Sequence, residues 1–345
     1  MYSFMNDYSE GAHPRILELL IKSNLEQNSG YGEDIHTEKA KDYLKKHIGK
    51  IDVDIHLIPG GTQTNLLVIS SFLRPHQCVI AAATGHINVH ETGAIEATGH
   101  KVVAMPCAEG KLTPAVIQAA LDAHSDEHMV QPKMVYISNT TELGTIYTKA
   151  ELSAIHNICR INKLILFLDG ARLGSALTCK ENDLELSDLA ELTDVFYFGG
   201  TKNGALLGEA LIICREDLRE DFRYLIKQRG ALMAKGFVLG IEFEALFQDN
   251  LYFELGEHAN EMAAKIAETL KECGYGFYAT PGTNQLFPIF KNKLLEQLSK
   301  EFIYSVQAKI DEENSAVRFV TSWATTKKSV DALCDFLLNR KGEVC

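Results

Sequence analysis

The chain predicts an α/β protein: a mostly parallel central sheet with helices on both faces, plus a smaller α+β C-terminal domain. Two observations lead there. Through the first two-thirds, short apolar runs alternate with longer helical patterns, and strand, helix, strand repeated in this way implies crossover connections between parallel strands. After about Phe247 the pattern changes to one long helical segment followed by short mixed elements. The expected domains are residues 1–247, with an N-terminal arm, and residues 248–345, within the usual size range of domains.

In order, the strand-like runs are Ile55–Ile58, Cys78–Ala81, Lys101–Ala104, Met134–Ser138, Leu164–Leu168, Val195–Phe198 and Ala210–Cys214. Helical patterns lie between them at Asn65–Leu73, Pro114–Ala123, Lys149–Arg160 and Leu186–Leu192. The C-terminal third reads as a long helix over Phe253–Cys273 that joins the domains without a tether. Short runs at Gly276–Tyr278 and Gln285–Phe290 follow, then a helical stretch at Leu294–Leu298, a strand at Val317–Thr321 and an amphipathic helix at Ser329–Asn339. In parallel sheets of this kind ligands sit outside the carboxyl ends of the strands, so the residues that close each strand carry the functional argument.

Composition narrows the function. The 345 residues are 46% hydrophobic and 23% charged, as in ordinary globular proteins, and the net charge of -12 without a long basic block argues against nucleic acid. The eight cysteines, at 78, 107, 159, 179, 214, 273, 334 and 345, form no CxxC pair, so neither a zinc site nor a disulfide framework is indicated. The N-terminal residues carry no basic or apolar leader, and no run reaches membrane-spanning length. These features predict a cytoplasmic protein, without a membrane partner, that acts on a small molecule.

Four groups of residues could carry chemistry. Pro59-Gly60-Gly61-Thr62-Gln63-Thr64-Asn65 follows a strand and opens a helix. Its glycines allow close backbone approach, Thr62 or Thr64 could cap the helix, and a helix N-terminus favours an anion such as phosphate. A plain capped turn would use the same residues. Asp169 closes the most apolar strand, with Arg172 three positions on, where it could bind a carboxylate bidentately; otherwise the pair is a turn aspartate and a surface arginine. Lys202, in Phe198-Gly199-Gly200-Thr201-Lys202-Asn203-Gly204, follows another apolar strand. Partial burial there would lower its pKa and make it a nucleophilic amine, although most lysines are solvated. His86, His90 and Glu91 form an HxxxHE cluster. It reads as structural, as an i, i+4 metal pair without an evident third ligand, or as a ring-stacking histidine with a proton-moving partner. No catalytic metal is expected.

Jointly, GGTQTN, His86 with Glu91, Asp169-Gly170-Ala171-Arg172, Gly199-Gly200-Thr201-Lys202 and Val317-Arg318-Phe319-Val320-Thr321 resemble the low-specificity threonine aldolases of the fold-type I pyridoxal-phosphate enzymes, the β-eliminating lyase group. The resemblance runs from Asn6-Asp7 to Trp323. It implies the cofactor pyridoxal 5'-phosphate, held covalently by Lys202, with Asp169 against the pyridinium nitrogen and His86 on the ring face. It places Gly61, Thr62 and Thr201 at the phosphate, and Arg172 and Arg318 on the substrate carboxylate with help from Asn6. It also implies a homo-oligomer, dimer or tetramer, in which Tyr31, Lys227 or Arg229 reaches a neighbouring site; each has a plain surface role as its alternative.

The implied activity is retro-aldol cleavage of threonine or allo-threonine to glycine and an aldehyde. β-Elimination, transamination or racemisation would need the same cofactor. A nucleotide-binding dehydrogenase is opposed by the missing GxGxxG, and a non-catalytic binding module by the presence of Lys202, Asp169, Arg172 and Arg318. One departure stands out. Where many members carry an ENTHN-like segment, this chain has Ser138-Asn139-Thr140-Thr141-Glu142, with Thr141 in the histidine's place. Threonine is no base near neutral pH, so Glu91, His90 or a water would have to move the proton, or the preferred substrate differs from threonine.

Overall fold

The structure, a computed structural model, describes residues 1–49 and 52–341, so Cys345 lies outside the described residues. After a two-residue strand, β1 (Tyr2–Ser3), come β2 (Asp54–Ile58), β3 (Gln77–Ala82), β4 (Val102–Met105), β5 (Gln131–Ser138), β6 (Ile165–Asp169), β7 (Val195–Gly199) and β8 (Glu209–Ile213). The last seven form one sheet in the order β2-β8-β7-β6-β5-β3-β4. Neighbours from β7 through β6, β5 and β3 to β4 are parallel, and β8 runs antiparallel to both of its partners. All seven expected strands are therefore present, in a sheet that is parallel except at β8.

Successive residues of these strands alternate between two cores. Ile80, Val135, Ile137, Leu166, Leu168, Phe196 and Phe198 face one, and Val79, Met134, Tyr136, Ile165, Phe167, Val195 and Tyr197 face the other. Strands buried on both sides have no solvent face, which is why they read as unbroken apolar runs. The crossover helices start on recognisable caps. Thr148 and Glu151 make a reciprocal capping box for Lys149–Ile161, and Thr113 caps Pro114–Asp122, whose proline occupies the first turn.

The helix after β2 corrects the expectation about its start. It spans Gly61–Phe72 with extended Gly60 as N-cap and has no side-chain cap. Thr62 and Thr64 lie inside its first turn, and Thr64 Oγ1 donates back to the Gly60 carbonyl at 2.9 Å. Its leading N–H groups are thus not occupied by a capping side chain.

The C-terminal part is built on β9 (Gln285–Leu286), β10 (Ile289–Lys291), β11 (Phe302–Ile303), β12 (Ser305–Lys309) and β13 (Asn314–Val320). β13 pairs antiparallel with β9, β10 and β12. The expected run at Gly276–Tyr278 contributes only an isolated bridge between Phe277 and Pro288. β1 pairs with β11, and Phe4 is buried in the C-terminal core with Phe302 and Phe319. The N-terminal arm thus ends against the far end of the chain. The helix Leu251–Cys273 buries residues against both regions: Leu251, Tyr252 and Leu255 in the main core, Ala263, Ile266 and Leu270 in the C-terminal one.

That helix crosses Leu173–Thr178 at glycine-to-glycine distance. A Cβ on Gly256 would lie 2.5 Å from the backbone of Gly174, an atom that no rotamer change can move. Gly256→Ala is expected to cost about 1–3 kcal/mol through overpacking, read as a lower urea midpoint with an unchanged m-value.

Candidate active site

Strand register brings the chemistry together. Ser138 pairs with Asp169 across β5 and β6, and Glu209 lies between Ile58 of β2 and Gly199 of β7. The segments that follow these strand ends meet in a cleft of about 600 Å³. It is lined by Gly60, Gly61 and Thr62, by His86 and His90, by Ser138, Thr140 and Glu142, by Asp169 and Arg172, and by Thr201, Lys202 and Arg318.

Asp169 is buried at the end of β6 with three donors. Tyr136 Oη donates at 2.5 Å and Asn65 Nδ2 at 3.1 Å to Oδ2, and the Ala171 N–H donates at 2.9 Å to Oδ1. Burial alone would raise the pKa of this carboxyl. The charge of His86 and the hydroxyls of Tyr136 and Tyr197 outweigh it and hold the group below the usual carboxylate range. Asn65 also donates to Glu91 Oε1 at 2.7 Å, and His86 Nδ1 lies 2.8 Å from the same oxygen. Glu91 is fully buried and fixes the His86 ring, which lies on the cleft wall.

Lys202 shares this cleft with Asp169. Burial, reinforced by the Arg172 charge, lowers the pKa of its amine. Its loop is held by two carboxylates. Glu209 accepts from the Gly200 N–H at 3.1 Å and from Thr201 Oγ1 at 3.0 Å. Glu242 accepts from the N–H groups of Leu206 and Leu207 at 2.6 and 3.4 Å. Burial pushes the Glu209 carboxyl up to about 8 despite the Thr201 hydroxyl and the Lys202 charge.

Arg172 is buried and forks onto Asp7, with Nε to Oδ2 at 2.7 Å and Nη2 to Oδ1 at 3.0 Å. Asn284 donates to the same carboxylate at 3.0 Å. Burial would raise the pKa of Asp7, but the Arg172 and Lys202 charges lower it. Arg318 lies across the cleft on β13. Its Nη2 reaches the Met5 carbonyl at 3.4 Å, and its buried Nε has no hydrogen-bond partner among the described residues. Burial and the nearby Arg172 charge lower its pKa. Asp7 bonds Arg172 but not Arg318, so the Arg318 guanidinium faces the cleft without a carboxylate bonded to it and can take an anion.

Of the other expected residues, only His90 lines the cleft. Asn6 does not line the cleft; its Oδ1 accepts from the Tyr8 N–H and from Ser9 Oγ, both at 2.9 Å. His90 closes the short helix His86–Val89 as its C-cap, with its ring 5.5 Å from that of His86 and its pKa lowered by burial. Thr141 is buried away from the cleft, with its hydroxyl 2.7 Å from that of Thr145. Tyr31 is exposed with φ +62°, and Lys227 Nζ sits 4.4 Å over its ring. The Arg229 carbonyl accepts from Gln63 Nε2 at 3.2 Å, which ties that exposed segment to the start of Gly61–Phe72. Among the described residues no group of three or more His, Cys, Asp or Glu could hold a metal ion.

Sequence reasoning missed Asp7, Asn65, Tyr136, Glu142, Glu209 and Glu242. Asn65 stood in the GGTQTN segment and Glu142 in the ENTHN-like one, so both were visible without a role. The others carry no local motif.

The arrangement fits pyridoxal phosphate. An amine with a lowered pKa shares a cleft with a carboxylate held ionised, and the uncapped N-terminus of Gly61–Phe72 lies on the same wall. A Cβ on Gly61 would project toward the Tyr197 hydroxyl and Glu209 Oε1, at 3.5 and 3.9 Å.

Comparison with known proteins agrees. The β-eliminating lyase family model matches residues 11–293. A low-specificity L-threonine aldolase from Pseudomonas aeruginosa is 33% identical over 342 residues, covering 96% of this chain and 95% of that protein. A threonine aldolase structure from Leishmania major superposes with a TM-score of 0.98 at 51% identity, over 99% of this chain and all of that one. An aspartate aminotransferase from Thermus thermophilus, 12% identical with a TM-score of 0.72 over 98% of this chain and 91% of its own, shares the fold.

Asp7→Ala would leave Arg172 buried without its counter-charge and is expected to destabilise the protein by about 3–5 kcal/mol in urea unfolding. The sign with pH follows from the depressed native pKa. The stabilisation is present above the unfolded value, about 3.9, and is lost as pH falls through the lower native one. The variant should lack that acid dependence.

Proposed function

The chain belongs to the β-eliminating lyase family, and on that premise we propose that its strand-end cleft cleaves 3-hydroxy amino acids, threonine or allo-threonine, to glycine and an aldehyde. It is a pyridoxal-phosphate-dependent carbon–carbon lyase. The observation that carries the reading is the placement of Lys202 and Asp169 in one cleft with Arg172 and Arg318.

We assign the residues as follows. Lys202 holds the cofactor aldehyde; its depressed pKa favours the neutral, nucleophilic amine. Asp169 holds the protonated ring nitrogen, His86 packs on the ring, and Gly61, Thr62 and Thr201 take the phosphate. When bound, the cofactor supplies the electron sink that lets a bond at Cα break. Arg172 and Arg318 grip the substrate carboxylate and so fix which bond at Cα lies in the reactive orientation, an effect of positioning. Asp7 presets the Arg172 guanidinium by its bidentate contact.

We also infer a homo-oligomer in which the exposed cluster of Tyr31, Lys227 and Arg229 meets a second copy. The cluster borders the start of Gly61–Phe72, the expected phosphate end of the cleft, and presents charge and an aromatic ring there. No described helix is long and apolar enough to cross a membrane, and no disulfide joins the described cysteines. Cysteines without disulfides support placement in the reducing cytoplasm.

Three outcomes test these assignments. With threonine, the purified holoenzyme should release acetaldehyde and glycine; 2-oxobutanoate and ammonia instead would overturn the bond assignment. Lys202→Ala should lose both the visible absorbance of bound cofactor and turnover. Arg318→Ala should raise KM for threonine by about 10- to 100-fold, the worth of a hydrogen bond to a charged group.

A further inference from the structure

One cleft carboxylate has no part in holding the cofactor or the substrate carboxylate. Glu142 lies just beyond β5 and lines the cleft. Its Oε1 accepts from Ser138 Oγ at 2.8 Å and from the His86 N–H at 2.9 Å. Both bonds fall on one oxygen, and Oε2 accepts none from another residue among those described.

The other carboxylates nearby are either committed or do not line the cleft. Asp169 is held by Tyr136, Asn65 and the Ala171 N–H. Glu209 holds the Lys202 loop, and Asp7 is bidentate to Arg172. Glu91 also takes both of its contacts on Oε1 and leaves Oε2 without a partner among the described residues, but it is fully buried and does not line the cleft. Thr141, the residue before Glu142, directs its hydroxyl to Thr145 and accepts from the Leu143 N–H at 3.2 Å. The chain therefore turns the threonine inward and presents the glutamate to the cleft.

We propose that Glu142 is the base that removes the β-hydroxyl proton of the substrate. This rests on the aldolase reading above. In the step, the hydroxyl proton passes to the Glu142 carboxylate and the O–H electron pair becomes the new C=O bond of the aldehyde. The Cα–Cβ bond breaks with its pair left at Cα. Protonation at Cα gives glycine, so the cycle consumes no net proton.

The groups facing Glu142 set its pH behaviour. They are Ser138 and Tyr136 on β5, Asp169 and Arg172 at the end of β6, His86 on the short helix, and Cys107 and Tyr147 from the segments around it. Burial and the Asp169 charge raise its carboxyl pKa, against the Ser138 hydroxyl and His86, which lower it. A base acts when deprotonated, so cleavage falls as pH drops through that raised value.

The test uses holoenzyme with threonine and, separately, with glycine, which has no hydroxyl. Glu142→Gln should lower kcat for threonine cleavage by about 100-fold or more, the usual worth of a general base, and abolish the acid limb of its kcat–pH profile. Spectral titration with glycine, and exchange of the glycine α-proton with deuterated solvent, should be unchanged. Threonine cleavage at the wild-type rate would overturn the proposal, and so would α-proton exchange falling in parallel with cleavage, which marks a positioning role. Should the glutamine variant not fold, Glu142→Asp keeps a carboxylate one methylene back; it should retain the acid limb at reduced kcat, and loss of that limb would overturn the proposal equally. Wild-type protein that releases no acetaldehyde from threonine would instead overturn the aldolase reading itself.

Discussion

A carboxylate buried at the end of a central strand has to remain ionised, and much of the surrounding structure follows from that constraint. Asp169 has lost its water, and removing a charge from water costs several kcal/mol unless donors replace the solvent. The donors come from three places in the chain: Tyr136 on the neighbouring strand, Asn65 in the first turn of Gly61–Phe72, and the Ala171 backbone. The parallel register of β5 and β6 puts Tyr136 within reach. Asn65 then extends the network to Glu91 and His86, so the group that holds Asp169 also orients the ring on the cleft wall.

The same economy of carboxylates governs the lysine. Lys202 sits in a glycine-rich loop that would be mobile if left alone. Glu209 and Glu242 accept four donors from that loop, and Gly204 and Gly208 adopt the positive φ, +94° and +108°, that lets it fold back on itself. A rigid loop keeps the amine in one place, and burial together with Arg172 depresses its pKa. The Asp7–Arg172 fork extends the arrangement to both ends of the chain. The N-terminal segment carries Asp7 to Arg172 behind the cleft wall, and its first residues pack with β11 and the C-terminal core that also presents Arg318.

The seven strands of the main sheet were legible because each is buried on both faces and so appears as an uninterrupted apolar run. The long helix Leu251–Cys273 was legible from its length and amphipathic pattern. The start of Gly61–Phe72 was misplaced because Thr62 and Thr64 have the composition of caps. Gly60, with no side chain, takes the N-cap position, and Thr64 bonds backwards within the turn. In the cleft, Lys202, Asp169, Arg172, His86 and Gly61 were readable because each closes or follows a strand in a distinctive setting. Asp7, Tyr136, Glu209 and Glu242 were not, since a lone acidic or aromatic residue in a helix, strand or arm has no local signature.

By itself the sequence determined the strand and helix order, and hence that a set of loops would gather at one edge of a parallel sheet. It also supplied the amine, the carboxylate and the two arginines. Only the tertiary structure decided which charges neighbour which: that Arg172 is paired with Asp7, that Thr141 turns inward, and that Glu142 is presented to the cleft. The physical reason is one of range. Periodicity and strand-end chemistry are local properties written within ten or fifteen residues. Ionisation depends on partners brought from anywhere in the chain, and on how much water their packing excludes.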